Sequence, residues 1–241
     1  HKKGREEHPT TSESSSTGLV VTQDGVGIGG NKRSDKGSSH FRAVAGDHSA
    51  ALGAGGNRNL ANGTSVNGNA KVGATVNKPS IRGIHADSTG MDATIHQLTG
   101  QYASATGRTN GVNIAGSVGA SKGAFGVSVS GHAATESGVH FHTTASDTNQ
   151  RNVDELHGGR LPGIGAGMAD LDLAGLRTGE GYSMQNTTSA GAGIGAVVYG
   201  VGAEGSTSAT DVQQTVIHRT KEGYLVDIST MDQSTMAGNV N

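Results

Sequence analysis

The sequence TSVNGNAKVGATVN at residues 64–77 decides the fold class, because its side chains alternate between two kinds. Thr64, Val66 and every second residue to Val76 are small or apolar, and the residues between them are mostly polar. Successive side chains of an extended strand point to opposite faces, so this segment has two unlike sides only as a β-strand. The alternation recurs from about residue 18 to residue 229. It predicts an all-β protein of mainly antiparallel hairpins, a meander arranged as a sandwich or a barrel.

Turn dipeptides divide the alternating segments into hairpins. Asp24-Gly25 suits a tight primed turn between two short strands. A two-residue turn at Gly46-Asp47 would place Phe41 opposite Leu52, with the apolar groups of both strands on one face. Residues 91–102 carry a weaker strand signal. These segments are expected to pair with their neighbours in chain order.

The clearest predicted hairpin joins residues 112–120 to residues 124–133. A loop at 121–124 would place Val118 opposite Val127 on a shared face. The polar residues 135–137 then predict a second turn, followed by a third strand at residues 139–143.

Composition shifts suggest a division of the chain into five parts. Residues 190–203 are apolar or Gly on both faces, which is typical of a central strand covered on both sides. The predicted parts are a flexible tail at 1–17, a β-hairpin domain at 18–143, an irregular or short-helical connection at 144–180, further strands of the same sheet system at 181–230, and a tail at 231–241.

The amino-acid content limits how such a sheet is stabilised. The chain has 241 residues, of which 41 are Gly and only 3% are aromatic. Because each buried methylene contributes about 0.8 kcal/mol, a thin core of Ala, Gly and Val gains little per residue. Close sheet packing and ladder hydrogen bonds must therefore supply the stability, either within one chain or in an assembly of copies.

Charge and cysteine content exclude several classes of protein. The 18 basic and 20 acidic residues are dispersed, whereas a nucleic-acid-binding protein would show a basic stripe with stacking aromatics. The absence of Cys removes disulfides, zinc–thiolate sites and thiol nucleophiles. The chain begins at His1 without an initiating Met, which we interpret as a processed mature chain or an excised fragment.

No motif indicates catalysis. The sequence lacks a Gly-x-Ser-x-Gly element between a strand and a helix. GIGAG at residues 163–167 resembles part of a dinucleotide loop, but it follows Pro162 rather than a strand. The paired carboxylates at residues 154–155 and 170–172 are typical of solvated loops or caps. We therefore predict a non-enzymatic protein with no catalytic residue and no cofactor.

Histidines supply the one candidate ligand site. In the predicted register His132 lies opposite His140, and His142 shares their face. Three neutral imidazoles close together could bind zinc or copper. The alternative is that all three are polar residues on an exposed sheet. Protonation of all 11 His would also turn the formal net charge of −2 strongly positive, which would make solubility or assembly depend on pH.

Two functional hypotheses fit these patterns. The first is an extracellular structural or adhesive protein that forms homo-oligomers or polymers through sheet edges and close small-residue packing. The second is a membrane-active antimicrobial protein or β-pore-forming toxin, because hairpins such as residues 112–133 have one apolar and one polar face. The Cys-free, Gly-rich composition and the turn sequence LPGIG at residues 161–165 are similar to insect antibacterial proteins of the attacin kind. That similarity is one of composition and assigns no residues.

Overall fold

The computed structural model describes residues 13–22, 25–77, 79–144, 160–162 and 167–240. These residues form eleven strands, one α-helix and one short 3-10 helix. The strands are β1 (Ser14–Thr22), β2 (Gly25–Ser34), β3 (Gly37–Ala45), β4 (Ser49–Asn59), β5 (Thr64–Val76), β6 (Ser80–Ile84), β7 (Ala103–Lys122), β8 (Phe125–Thr144), β9 (Glu180–Val198), β10 (Val201–Arg219) and β11 (Tyr224–Val240). The helix α1 is Gly90–Thr99, and the 3-10 helix is Met168–Asp170.

All the strands belong to one antiparallel meander, which confirms the predicted all-β fold. The order across the sheet is β1-β2-β3-β4-β5-β7-β8-β9-β10-β11, and β6 pairs with one end of β7. The sequence did not decide between a sandwich and a barrel. The structure is neither, because the strands form a single sheet that does not close and has β1 and β11 at its edges.

The two predicted hairpin registers are each wrong by two residues. Phe41 pairs with Ala54 rather than Leu52, because Gly46 N–H bonds to the Ser49 carbonyl and the turn therefore falls at Asp47-His48, one residue later than predicted. Val118 pairs with Val129 rather than Val127, because the β7–β8 turn is only Gly123-Ala124, with Gly123 at φ +58°. Since side chains alternate with a period of two, a shift of two residues leaves every face assignment intact.

Three segments differ in type from the prediction. The predicted turn at 135–137 does not form, because β8 continues through it with partners on both β7 and β9. Residues 190–203 form a hairpin rather than one central strand, with a turn at Tyr199-Gly200. β11 pairs with β10 as far as Val240, so residues 231–240 are strand rather than tail. Of the predicted tail at 1–17, residues 14–17 belong to β1, and residues 1–12 lie outside the described part.

The helix α1 replaces the strand that was predicted at residues 91–102. Met91 and Ile95 lie one helical turn apart and are both buried, and Gly100 ends the helix at φ 66°. Among the described residues, no helix has the length and apolar character needed to cross a membrane.

In the described part of the chain, the hydrophobic core lies at one end of the sheet. On one face α1 packs against strand residues, in a cluster that includes Ile84, Ile95 and Val216. On the other face the connection between β8 and β9 contributes Leu171 and Leu176, in a cluster with Phe141, Tyr182 and Met184. Beyond these two clusters the strands extend as a sheet whose large side chains are exposed.

Candidate functional site

The uncovered part of the sheet has two unlike faces. Registered partners on neighbouring strands share a face, so a row of residues can be followed across the sheet. One row on what we call the apolar face runs from β1 to β8 through Leu19, Ile28, Ala43, Leu52, Val72, Ile114 and Ala133. Most of the large hydrophobic strand residues that are exposed lie on this apolar face. The exceptions are Val197, Leu225 and Met231, which lie on the opposite face, called here the polar face.

The apolar face is open to solvent to an unusual degree. Val127 is 62% exposed, Val129 58% and Ile194 67%. These three residues are close together, because Val129 pairs with Ile194 and Val127 is two positions along β8. Soluble monomers rarely expose a contiguous apolar patch of more than a few hundred Å², and a larger patch marks an interaction surface.

The exposed stretch has a defined length in the central strands. It covers Val112–Ala120 on β7, Phe125–Ala133 on β8 and Ala190–Val198 on β9, which we call the apolar band. Within these three stretches, every residue on the apolar face is Gly, Ala, Val, Ile or Phe. Each stretch has nine residues, and a transmembrane β-strand needs about 9–11. The band narrows towards the edge at β1.

Charged side chains on the apolar face flank the band, and none lies within it. Lys32, Arg58 and Lys122 lie at the border near the β7–β8 turn. Asp211 and Asp232, which face each other on β10 and β11, lie at the opposite border. The border near the β7–β8 turn is therefore basic, whereas at the opposite end the apolar face carries Asp211 and Asp232 and, further along β7, Arg108.

The basic border crosses the strands at an angle. Through successive partners, Lys32 on β2 aligns with Val129, Arg58 on β4 with Val127, and Lys122 on β7 with Phe125. From β2 to β4, and again from β4 to β7, the border shifts by two residues along the strand direction, towards the β7–β8 turn. A band that crosses strands obliquely lies in one plane only if the strands are tilted to that plane.

The polar face consists mainly of Ser, Thr, Asn and Gly in the same region. Its side chains bond across strands: Asn69 Nδ2 donates to Ser117 Oγ over 2.9 Å, and Ser38 Oγ donates to Asn57 Oδ1 over 2.9 Å. These exposed hydroxyl and amide groups suit contact with water.

The predicted zinc or copper site at His132, His140 and His142 does not assemble. All three lie on the polar face of one unbroken strand, β8. At about 3.3 Å per residue, His132 is about 26 Å from His140. The prediction that His132 would lie near His140 and His142 required a turn at residues 135–137, which does not form. In the described part of the chain, no group of three or more His, Cys, Asp or Glu is placed to hold a metal ion.

The structure instead brings His142 to His218, a pair that sequence reasoning missed. Nε2 of His142 lies 3.1 Å from Nδ1 of His218, and the two rings stack with centroids 5.3 Å apart. Gly181 on β9 lies between them, as the partner of both. Only the register of three long strands reveals this contact, and the alternation pattern carries no signal for it.

Burial keeps these imidazoles neutral. His142 is completely buried, and burial lowers its pKa to about 3, with smaller contributions from repulsion by the protonated forms of His218 and His140 and by Arg82. Burial lowers the pKa of His140 to about 4, assisted by Arg82 and opposed by Asp92. Burial also lowers the pKa of His218. Arg82 and Asp92 hold each other in a bidentate ion pair of 2.6 and 2.7 Å.

Gly181→Ala is expected to destabilise the protein strongly. A Cβ at this position would lie 2.1 Å from the carbonyl oxygen of Ile217 and 2.5 Å from the ring of His142, so the strands or the histidine pair must move. Overpacking of this kind costs about 1–3 kcal/mol or more. Urea denaturation measures the loss, and Gly131→Ala is the control, since its nearest atom would be at 3.7 Å. Equal stability of the two variants would contradict this role of Gly181.

The chain has few recognisable relatives among the proteins with which it was compared. No family model matches the chain, and no curated protein matches it. A solved structure described as a pore forming protein is similar at 9% identity, covering 92% of this chain and 95% of that chain, with a TM-score of 0.22. A likeness at this level carries no argument, so the function must be argued from the sheet itself.

Proposed function

We propose that this protein is a non-enzymatic, membrane-active protein that inserts its apolar face into a lipid bilayer and acts in the manner of a pore-forming or antimicrobial protein. The observation that carries the proposal is the apolar band: over nine residues on each of three adjacent long strands, the apolar face carries no charged or polar side chain and most of its residues are exposed. A lipid-facing strand needs this length and this alternation of apolar and polar side chains.

The backbone of the sheet supports the same proposal. In lipid every backbone N–H and C=O must find a partner inside the protein, and the antiparallel ladders of β7, β8 and β9 supply these partners over the whole band. At the level of the band, the described strands leave such groups unpaired at the outer sides of β1 and β11. An inserted sheet therefore has to close or to join another sheet.

The borders of the band also fit a bilayer. Lys32, Arg58 and Lys122 would lie at one interface, where lysine and arginine side chains can reach the headgroups. The oblique course of that border matches strands tilted by about 35–45°, as in transmembrane sheets. The polar face, with its Ser and Asn side chains, would then face water.

The competing hypothesis of an extracellular structural or adhesive protein draws on the open edges of β1 and β11. Edge pairing alone would build a fibre, but it would leave the side chains of the apolar face in water. Contact with lipid removes that exposed apolar area at about 25 cal/mol per Å². We therefore favour the membrane function over the structural or adhesive one. We also propose that the protein acts from the extracellular side.

Dye-loaded vesicles test this proposal directly. The purified chain is added to vesicles of phosphatidylcholine, with and without an anionic phospholipid, while electron microscopy monitors the same samples. Dye release in the absence of ordered filaments supports membrane insertion. Filaments or sheets without release would favour the structural hypothesis, and the absence of both release and vesicle binding would contradict the membrane proposal.

A further inference from the structure

We propose that the sheet is completed by a second copy of this chain, with the outer edge of β11 in one copy pairing with the outer edge of β1 in the next. The proposal deepens the membrane function, because an inserted sheet needs partners for its edge groups. The proposal rests on the membrane function only in placing the assembly in a bilayer. The pairing of the two edges can be measured in solution, without lipid.

Both edges lack the usual protection against pairing. Natural edge strands are blunted by charges, by Pro or by bulges. β1 has no charged residue and no Pro in Ser14–Thr22, and it pairs with β2 over its full length. β11 extends over 17 residues and carries only two charges, Asp227 and Asp232. No described strand pairs with the outer side of either one.

The topology makes the two edges compatible. Ten strands alternate in direction along the path from β1 to β11, so the two edge strands run in opposite directions. A copy placed beside β11 in the same orientation therefore presents its β1 antiparallel to it. The meander continues across the junction, and the apolar faces of the two copies lie on the same side.

Charge favours this junction over one between two β11 edges. Two β11 edges paired with each other would bring together strands whose only charged residues are acidic, and like charges on facing strands are destabilising. The uncharged β1 avoids that contact. Among the described strands, β1 and β11 do not pair with each other, so the sheet of a single chain is not closed by its own two edge strands.

The lengths of the edges suggest a register. β1 is about half as long as β11, and residues 233–240 are the longest stretch of β11 that carries no charge. Placing Leu19 opposite Met236 keeps both on the apolar face and leaves Asp232 outside the paired stretch. Gly18 then lies opposite Ala237 on the polar face. Because this contact joins two different surfaces, repetition gives a ring if the rotation closes.

Cysteine cross-linking tests the junction, since the chain has no Cys of its own. The double variant Gly18→Cys/Ala237→Cys is oxidised in solution and on vesicles, and the products are separated without reductant. A Cβ at Gly18 meets nothing within 4 Å, and neither residue lies on the apolar face, so membrane binding is preserved. The expected result is a ladder of dimers, trimers and larger species that reductant abolishes.

The matched control is Gly18→Cys/Met236→Cys, in which the two thiols lie on opposite faces and no ladder is expected. Dimers from either single variant as abundant as those from the double variant would indicate symmetric edges and overturn the proposal. A disulfide within one chain would show that the sheet closes on itself, and a lack of cross-links would show that the edges do not meet. Dye release, measured in the same samples, reports separately on the membrane function.

Discussion

Val129→Lys is expected to suppress dye release from vesicles, whereas Ser128→Lys in the adjacent position is expected to retain it. Val129 lies on the apolar face near the middle of the band and is 58% exposed. A lysine at the mid-plane of a lipid-facing sheet costs about 2–4 kcal/mol, which lowers the population of the inserted state by about 30- to 1,000-fold. Ser128 lies on the polar face, where a lysine remains in water.

The two variants add the same charge to the same exposed strand, so their stability in water should be similar. Denaturation of both by urea establishes this before the vesicle assay. Equal release by the two variants would mean that the apolar face does not enter lipid, and a loss of release in both would mean that the added charge acts in another way.

Acidification from pH 7 to pH 5 is expected to remove about 4 kcal/mol of folding stability through His140 and His142 alone. Burial holds their pKa values at about 4 and about 3 in the folded protein, while an unfolded histidine titrates near pH 6.5. Below pH 6.5 the unfolded chain therefore binds protons that the folded chain cannot. The stability is complete above that pH and is lost progressively as the pH falls towards 4 and then 3.

Urea denaturation at several pH values, followed by circular dichroism, checks this expectation. His142→Gln should remove about 2 kcal/mol of the difference between pH 7 and pH 5. His132→Gln is the control, because His132 is exposed and distant from the buried cluster. A wild-type stability that does not change between pH 7 and pH 5 would show that the histidines remain solvated.

The alternation of side chains predicted the faces of the sheet but could not predict its register. Val118 and Val129 share a face under either the predicted or the observed pairing, since the two differ by two residues. The register depends on turn length, and a two-residue turn at Gly123-Ala124 is as compatible with the sequence as a four-residue one. The apolar face could therefore be predicted from sequence, whereas the direct partners could not.

The predicted metal site at His132, His140 and His142 required a turn at residues 135–137, and the sequence does not determine whether that turn forms. Thr135, Glu136 and Ser137 are polar and resemble a turn, but each also fits a strand with polar surroundings. Partners on both sides, from β7 and β9, carry the strand through them. Once β8 is continuous, His132 is separated from His140, and the register across Gly181 brings His218 to His142.

The helix α1 was missed for a different reason. Met91, Ile95 and Leu98 follow a helical spacing, but the segment is only ten residues long and its surroundings are entirely strand. Isolated helices of this length are marginal in water, so packing on the sheet, where Ile95 becomes fully buried, decides the outcome. A local pattern cannot report that contact.

The most direct test of the central claim is a cysteine scan of residues 125–133, with an environment-sensitive fluorophore attached at each position in turn. In the presence of vesicles, probes at Phe125, Val127, Val129, Gly131 and Ala133 are expected to report lipid, and those at the intervening positions are expected to be quenched from the aqueous phase. An emission pattern with this two-residue period would show that β8 inserts with its apolar face in the bilayer. Uniform aqueous emission along the strand would contradict the account.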